Sequence, residues 1–136
     1  MSKPILYSII ESPAHPKMSS VYEELGFDEL KFMSQRKAIG KLKSTPPAIV
    51  VAEFFYGYGN NYAGVNVSNL DTLLASLQRY APDAKVVVMV SKKEREYVDK
   101  LKKLFPVHAV LVHPVSTDDM KTALALRLRS GTAPGP

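Results

Sequence analysis

The chain has 136 residues, no cysteine and a formal net charge of +5, because 18 Lys and Arg residues outnumber 13 Asp and Glu residues. This length fits one domain with its own hydrophobic core, and the lack of cysteine excludes disulfides, thiolate metal sites and cysteine nucleophiles. Hydrophobic residues make up 46% of the chain and charged residues 23%, which is typical of a globular protein and not of a disordered one. With neither a signal-peptide pattern nor a run of about 20 apolar residues, the expected location is the cytoplasm.

Strands and helices are predicted to alternate along the first half. Residues 5–10 form an apolar run that predicts a strand. A helix follows, because apolar residues recur at helical spacing and Gly26 comes after them as a C-terminal cap; these apolar residues are Met18, Val21, Tyr22 and Leu25. A short strand at residues 30–33 and a helix capped by Ser34 come next. The unbroken apolar run at residues 48–52 predicts a strand covered on both faces, at the centre of the sheet.

The second half continues the alternation after a loop rich in Gly, Asn and Tyr at residues 57–67. Asn69 is the predicted N-cap of a helix with leucines at 70, 73, 74 and 77. The remaining predicted elements are a strand (85–90), a charged amphipathic helix (92–104), a strand (109–112), a last helix capped by Thr117 and a flexible tail (130–136).

Five strands that alternate with helices predict an α/β fold in a single domain over residues 1–129. Short right-handed crossovers place such strands in a doubly wound parallel sheet of order 2-1-3-4-5. Ligands of these sheets gather at the carboxyl ends of the strands. The candidate site residues at that edge are Glu11, Glu53, Ser91 and His113.

Four segments, in this order, resemble a response-regulator receiver (CheY-like) domain of flavodoxin-like architecture. Residues 23–27 resemble the end of its first helix. The proline-led apolar run 47–53 resembles the third strand, with Glu53 at the position of the phosphoacceptor aspartate. Residues 87–91 resemble the fourth strand, which ends in a switch Ser or Thr, and residues 111–114 resemble its Leu-Val-Lys-Pro motif. The resemblance covers residues 4–129.

Departures from the receiver pattern predict a degenerate phosphoacceptor pocket, which consists of Glu11, Glu53, Ser91, His113 and Pro114. Receivers hold magnesium with an acidic pair, where this chain has Glu11 alone. Glu53 is one methylene longer than aspartate, which displaces its carboxylate from catalytic alignment, and His113 replaces the lysine. The resemblance also implies a cis bond before Pro114. We expect weak magnesium binding, no phosphoryl transfer, and therefore a phosphorylation-independent interaction module with no enzymatic activity.

A protein partner is expected at two places. Tyr56, Tyr58 and Tyr62 lie in or beside the loop at 57–67, and tyrosine gives a large contact area at low entropic cost. The helix at 92–104 carries six basic and three acidic residues. In receivers this region, with the last strand and helix, is the output and dimer face. The resemblance therefore also implies a homodimer through this helix and the last helix. A solvated helix face is the alternative. No nucleic-acid recognition motif accompanies the charge.

Other interpretations remain open from the residues alone. Glu53 is either a polar strand end that hydrogen-bonds nearby backbone or a permanent negative charge that mimics an activated receiver. Glu11, Glu53 and His113, with the tyrosine loop, form an alternative small-molecule or metal site. Ser91, His113 and Glu53 match a hydrolytic triad in composition, but the nucleophile-elbow motif is lacking. Neither phosphate-loop nor dinucleotide spacing occurs, so no cofactor is expected.

Overall fold

A computed structural model describes residues 3–13, 15–56 and 68–132, with side chains as far as residue 125. Its centre is a five-stranded parallel sheet of order β2-β1-β3-β4-β5, which confirms the predicted α/β fold class and strand order. The strands are β1 (Ile5–Ile9), β2 (Asp28–Phe32), β3 (Ile49–Glu53), β4 (Lys85–Val90) and β5 (Ala109–Val112).

Helices cover both faces of the sheet. They are α1 (Ser19–Glu24), α2 (Gln35–Lys41), α3 (Asp71–Tyr80), a 3₁₀-helix (Lys92–Tyr97), α4 (Val98–Lys102) and α5 (Thr117–Thr132). The core is accordingly split into two apolar layers. One packs α2, α3 and α4 against the sheet, and the other packs α1 and α5 against the opposite face. Among the described residues, no helix has the length and apolar character needed to span a membrane.

The central strand β3 brings one charged residue into the core. All five of its residues are buried, because β1 and β4 flank it and helices cover both its faces. Val50 and Ala52 pack in one apolar layer, and Ile49 and Val51 pack in the other. The strand ends at Glu53, one residue beyond the predicted run, and the side chain of this residue is therefore enclosed by its neighbours.

The end of α1 fixes the start of β2. Gly26 has φ +87°, a conformation that glycine adopts without a Cβ clash. Its N–H donates to the carbonyl of Glu23 at 3.0 Å, and the N–H of Phe27 donates to the carbonyl of Tyr22 at 2.9 Å. This pair of bonds is the Schellman motif, and it confirms the predicted cap at Gly26.

The predicted N-cap of α3 is wrong. The helix begins at Asp71, and its first turn is closed by Ser68, whose Oγ accepts from the N–H of Leu70 at 3.0 Å. Asp71 Oδ1 in turn accepts from the N–H of Ser68 at 2.6 Å. Asn69, the predicted cap, is instead drawn towards the ends of the strands, where its amide makes bonds described below.

The cap of α5 lies one residue before the predicted Thr117. Ser116 Oγ accepts from the N–H of Asp119 at 3.0 Å, and Asp119 Oδ2 accepts from the N–H of Ser116 at 3.3 Å. This reciprocal pair has the form of a capping box. The helix continues to Thr132 and so includes the start of the predicted tail, whereas residues 133–136 lie outside the described part of the chain.

The single α-helix predicted at residues 92–104 is also wrong. Residues Lys92–Tyr97 form a 3₁₀-helix, and only Val98–Lys102 is α-helical. Two lysines open the segment, and positive charge at a helix N-terminus opposes the helix dipole. By contrast, Ser34 caps α2 as predicted and accepts from the N–H of Lys37 at 3.2 Å.

Candidate functional site

The four strand-end residues lie at the carboxyl edge of the sheet, at the ends of β1, β3, β4 and β5. The structure joins only two of them directly, since Glu53 Oε2 accepts from the N–H of Glu11 at 2.8 Å. Ser91 is exposed and His113 is partly exposed. Within the described part of the chain, neither of them bonds to Glu53, so the arrangement does not form the hydrolytic triad.

Glu53 is held by the loop that follows β1. Its Oε2 accepts from the N–H groups of Glu11 and Ser12, at 2.8 and 3.2 Å, and lies 3.1 Å from His15 Nδ1. Its Oε1 accepts from the hydroxyl of Ser12. The Glu53 side chain is 1% exposed and that of His15 is 4% exposed. We call Glu53, Glu11, Ser12 and His15 the Glu53 network; in it, both carboxylate oxygens are engaged.

These bonds set the ionisation of Glu53. Burial by itself raises the pKa of this carboxyl group, but hydrogen bonds from His15, Ser12 and the N–H of Glu11 outweigh burial. The net effect lowers the pKa of Glu53 from its ordinary value of 4.5. The group is therefore ionised at neutral pH although it is buried.

A second layer of bonds joins Glu11 to the end of β3. Glu11 Oε1 accepts from Gln35 Nε2 and from Asn69 Nδ2, both at 2.9 Å. Asn69 also donates to the carbonyl of Glu53 at 2.8 Å, and its Oδ1 accepts from the N–H of Phe55 at 2.7 Å. Asn69 thus connects the ends of two strands, which explains why its side chain does not cap α3.

The residues of the alternative metal site, Glu11, Glu53 and His113, do not assemble into one. Among residues 3–13, 15–56 and 68–125, no group of three His, Asp or Glu side chains is arranged to hold a metal ion. The carboxylate oxygens of Glu53 bond to protein donors, and His113 is not among their partners. The peptide bond between His113 and Pro114 is cis, as the receiver resemblance implies.

An aromatic surface lies beside this edge. The rings of Tyr56 and Tyr97 stack with centroids 4.0 Å apart and planes 12° from parallel. Lys100 Nζ lies 5.4 Å from the first centroid and 5.8 Å from the second. The backbone N–H of Tyr56 donates to Glu94 Oε1 at 3.2 Å. We call Tyr56, Tyr97 and Lys100 the aromatic–lysine surface. It joins one of the predicted loop tyrosines to the predicted docking segment at 92–104. The other two predicted tyrosines, Tyr58 and Tyr62, lie outside the described residues.

Four residues that bond to Glu53 or Glu11 were not predicted as site residues from the sequence, and one of them, Asn69, was predicted only as a helix cap. Ser12 and His15 follow β1 and contact Glu53 directly, while Gln35, the first residue of α2, contacts Glu11. The first two carry a usable signal, because polar residues that follow the first predicted strand lie at the edge of the sheet where ligands gather. Gln35 carries none, because nothing in its local pattern indicates the direction of its side chain.

No protein-family model matches the chain. No curated protein sequence matches it either.

Solved structures do share the fold. The chain is similar to a response regulator receiver domain protein (CheY-like) from Methanospirillum hungatei, with a TM-score of 0.72 and 12% identity over 96% of each chain. It is similar to the signal receiver domain of a modulated diguanylate cyclase from Desulfovibrio desulfuricans, with a TM-score of 0.70 and 16% identity over 95% of this chain and 96% of the other. It is also similar to a receiver domain protein from Clostridium thermocellum, with a TM-score of 0.68 and 16% identity over 96% and 97%. The chain therefore has the fold of response-regulator receiver domains.

Proposed function

We propose that this chain is a pseudo-receiver: a signalling or regulatory module that binds a protein partner and is not switched by phosphate on its strand-end carboxylate. The observation that carries the proposal is the Glu53 network. Glu53 stands where the resemblance places the phosphoacceptor, and both of its oxygens accept hydrogen bonds from the loop after β1. Because the side chain is also only 1% exposed, the carboxylate is not open to attack a phosphodonor.

Phosphoryl transfer makes geometric demands that this arrangement does not meet. The attacking oxygen must lie in line with the leaving group, and a divalent cation must neutralise the developing charge. Glu53 Oε2 already has three donors within 3.2 Å, and Oε1 accepts from Ser12 in a side chain that is only 1% exposed, so a phosphodonor has no open approach to either oxygen. Magnesium prefers oxygen ligands such as carboxylates, but those of Glu53 are already engaged by donors of the chain.

Of the two roles open to Glu53, the structural role is better supported. Its charge is surrounded by the N–H groups of Glu11 and Ser12, the Ser12 hydroxyl and the His15 ring. These donors disperse the negative charge within the network, and the side chain is 1% exposed. A partner therefore has no direct access to a carboxylate that would imitate a phosphorylated state.

Partner binding is assigned to the aromatic–lysine surface and the basic segment around it. Residues 92–104 contain six basic and three acidic residues, and five of the six basic side chains lie in the 3₁₀-helix and α4. Tyr56 is 39% exposed, and tyrosine and positive charge together suit an interface. We favour an acidic protein surface as the partner over a second copy, because two such basic segments would repel each other.

Phosphodonor labelling tests the proposal. The purified chain is incubated with acetyl phosphate and magnesium, and intact-mass spectrometry follows, with an active receiver domain as positive control and Glu53→Gln as the matched variant. We expect no phosphoryl adduct on the chain. An adduct on the wild type that is missing from Glu53→Gln would show that Glu53 accepts phosphate and would overturn the proposal.

A further inference from the structure

A cleft opens beside the loop that follows β1, on the face of the sheet that α1 covers. Its volume is about 580 Å³, within the range of small-molecule sites. Its walls come from the loop after β1, from α1 and from β2. We call it the β1–α1 cleft. Ser12 and His15 line it and also belong to the Glu53 network, whereas Glu53 does not line it.

The wall of the cleft contains a buried hydroxyl without a partner. Tyr22 is 1% exposed, and within the described part of the chain its hydroxyl forms no hydrogen bond. A buried polar group left in this state destabilises a fold, and such groups are uncommon. Burial and the charge of Glu29 raise the pKa of Tyr22, so the hydroxyl keeps its proton and remains a hydrogen-bond donor.

Charge at the cleft is positive. Lys17 and Lys31 line it and are exposed, and neither forms an ion pair among the residues that the structure describes. Glu29 is the acidic side chain of the lining, and its Oε2 accepts from the hydroxyl of Ser8 at 2.5 Å. Two exposed ammonium groups thus line the cleft, and the enclosed hydroxyl of Tyr22 in its wall has no acceptor among the described residues.

The rest of the lining is largely apolar and includes Ile10, Pro13, Pro16 and Met18. Such a cleft fits a ligand with an apolar body and one charged group. We propose that the β1–α1 cleft binds a small organic anion, whose phosphate or carboxylate group is held by Lys17 and Lys31 and accepts a hydrogen bond from Tyr22. This site is independent of phosphoryl transfer at Glu53 and goes beyond the proposed function.

An NMR titration of the full chain tests this proposal. The probes are phenyl phosphate and benzoate, which share an apolar ring and an anionic group, and benzyl alcohol is the neutral control. We expect saturable amide shifts near Lys17, Tyr22 and Lys31 with at least one anionic probe and no saturation with the alcohol. The tighter of the two anions identifies the ligand class as a phosphate ester or a carboxylic acid.

Variants show where the probe binds. Lys17→Gln, Lys31→Gln and Tyr22→Phe should each weaken binding by about tenfold, because each removes a hydrogen bond to a charged group. Lys43→Gln, at an exposed lysine outside the cleft, should leave binding unchanged. Tyr22→Phe preserves the packed ring, and its thermal unfolding verifies that the fold is retained.

Two results would overturn the inference. One is the absence of saturable binding of both anionic probes at millimolar concentrations. The other is binding that is unchanged in all three cleft variants, which would place the probe elsewhere. Because the readout is binding and not labelling, failure of this proposal is distinguishable from failure of the pseudo-receiver proposal.

Discussion

The two polar clusters on either side of the loop after β1 use their hydrogen-bonding groups differently. In the Glu53 network, a buried carboxylate receives four contacts from Glu11, Ser12 and His15. In the β1–α1 cleft, the Tyr22 hydroxyl is buried without a partner among the described residues. The bonds of the first cluster stabilise the fold, whereas the unpartnered hydroxyl of the second lowers the stability of the fold. This contrast is why we propose the cleft, and not the Glu53 network, as the ligand site.

The largest expected effect is the loss of stability when the Glu53 network is broken. Glu53→Ala should lower the free energy of unfolding by about 3 to 5 kcal/mol, because it leaves the partly buried donors of Ser12, His15 and Glu11 without their acceptor. Urea unfolding measures the loss. Glu23→Ala, at an exposed acid of α1, should change stability by less than about 0.5 kcal/mol. Equal effects of the two changes would contradict the importance of the network.

Asn69→Ala should have the next largest effect. It removes bonds to Glu11, to the carbonyl of Glu53 and from the N–H of Phe55, and the expected loss of stability is about 2 kcal/mol. Gln78→Ala serves as control, because Gln78 is an exposed amide of α3. If Asn69 were only a helix cap, Asn69→Asp would restore most of the lost stability; we expect it not to, because a second carboxylate would lie beside Glu11.

Lowering the pH should remove part of the stability that the hydrogen bonds of Glu53 provide. The pKa of Glu53 is lower in the folded chain than its ordinary value of 4.5, so the bonds of its ionised form contribute fully above pH 4.5. Their contribution is lost as the pH falls through the folded pKa. The difference in unfolding free energy between wild type and Glu53→Gln should therefore shrink below pH 4.5. A gap that stays constant down to about pH 3 would be inconsistent with this linkage.

The smallest expected effect is the change in stability when one of two buried tyrosines is replaced by phenylalanine. The sign of this change should differ between the two tyrosines. Tyr22→Phe should raise stability by about 1 kcal/mol, because it removes a hydroxyl without a partner. Tyr7→Phe should lower stability by about 1 kcal/mol, because the hydroxyl of Tyr7 donates to the carbonyl of Thr45. Thermal or urea unfolding distinguishes the two. A destabilising Tyr22→Phe would mean that the hydroxyl has a partner in solution and would remove the main argument for the cleft.

Most strands could be located from the sequence because apolar runs and turn residues mark them, and the preference for right-handed crossovers then predicted their order. The run before Glu53 is a clear example, since all of β3 is buried. The exception is β2, which begins at Asp28, two residues before its predicted start, because its first residues are charged. The helix caps were harder. Asn69 and Thr117 are reasonable caps by residue type, but neighbouring Ser68 and Ser116 close the helices instead, because tertiary contacts and a reciprocal aspartate decide between adjacent polar residues.

The location of the candidate site could also be predicted, but its bonding could not. Glu11 and Glu53 were expected at one edge of the sheet, and they meet there. The role of His15 could not be derived, because it depends on how the loop after β1 folds back over the end of β3. The unpartnered hydroxyl of Tyr22 is likewise a property of packing, since its position in the sequence indicates only a buried helix face.

The central claim, that the carboxylate of Glu53 is occupied by the chain itself, is tested most directly by NMR. The side-chain carboxyl carbon of Glu53 is titrated with pH in the presence and absence of magnesium, and Glu53→Gln identifies its signal. We expect a pKa below the ordinary value of 4.5 and no change of the signal with magnesium. A pKa at or above that value, or a saturable shift of the carboxyl signal with magnesium, would contradict the claim and show that the carboxylate is open to a ligand.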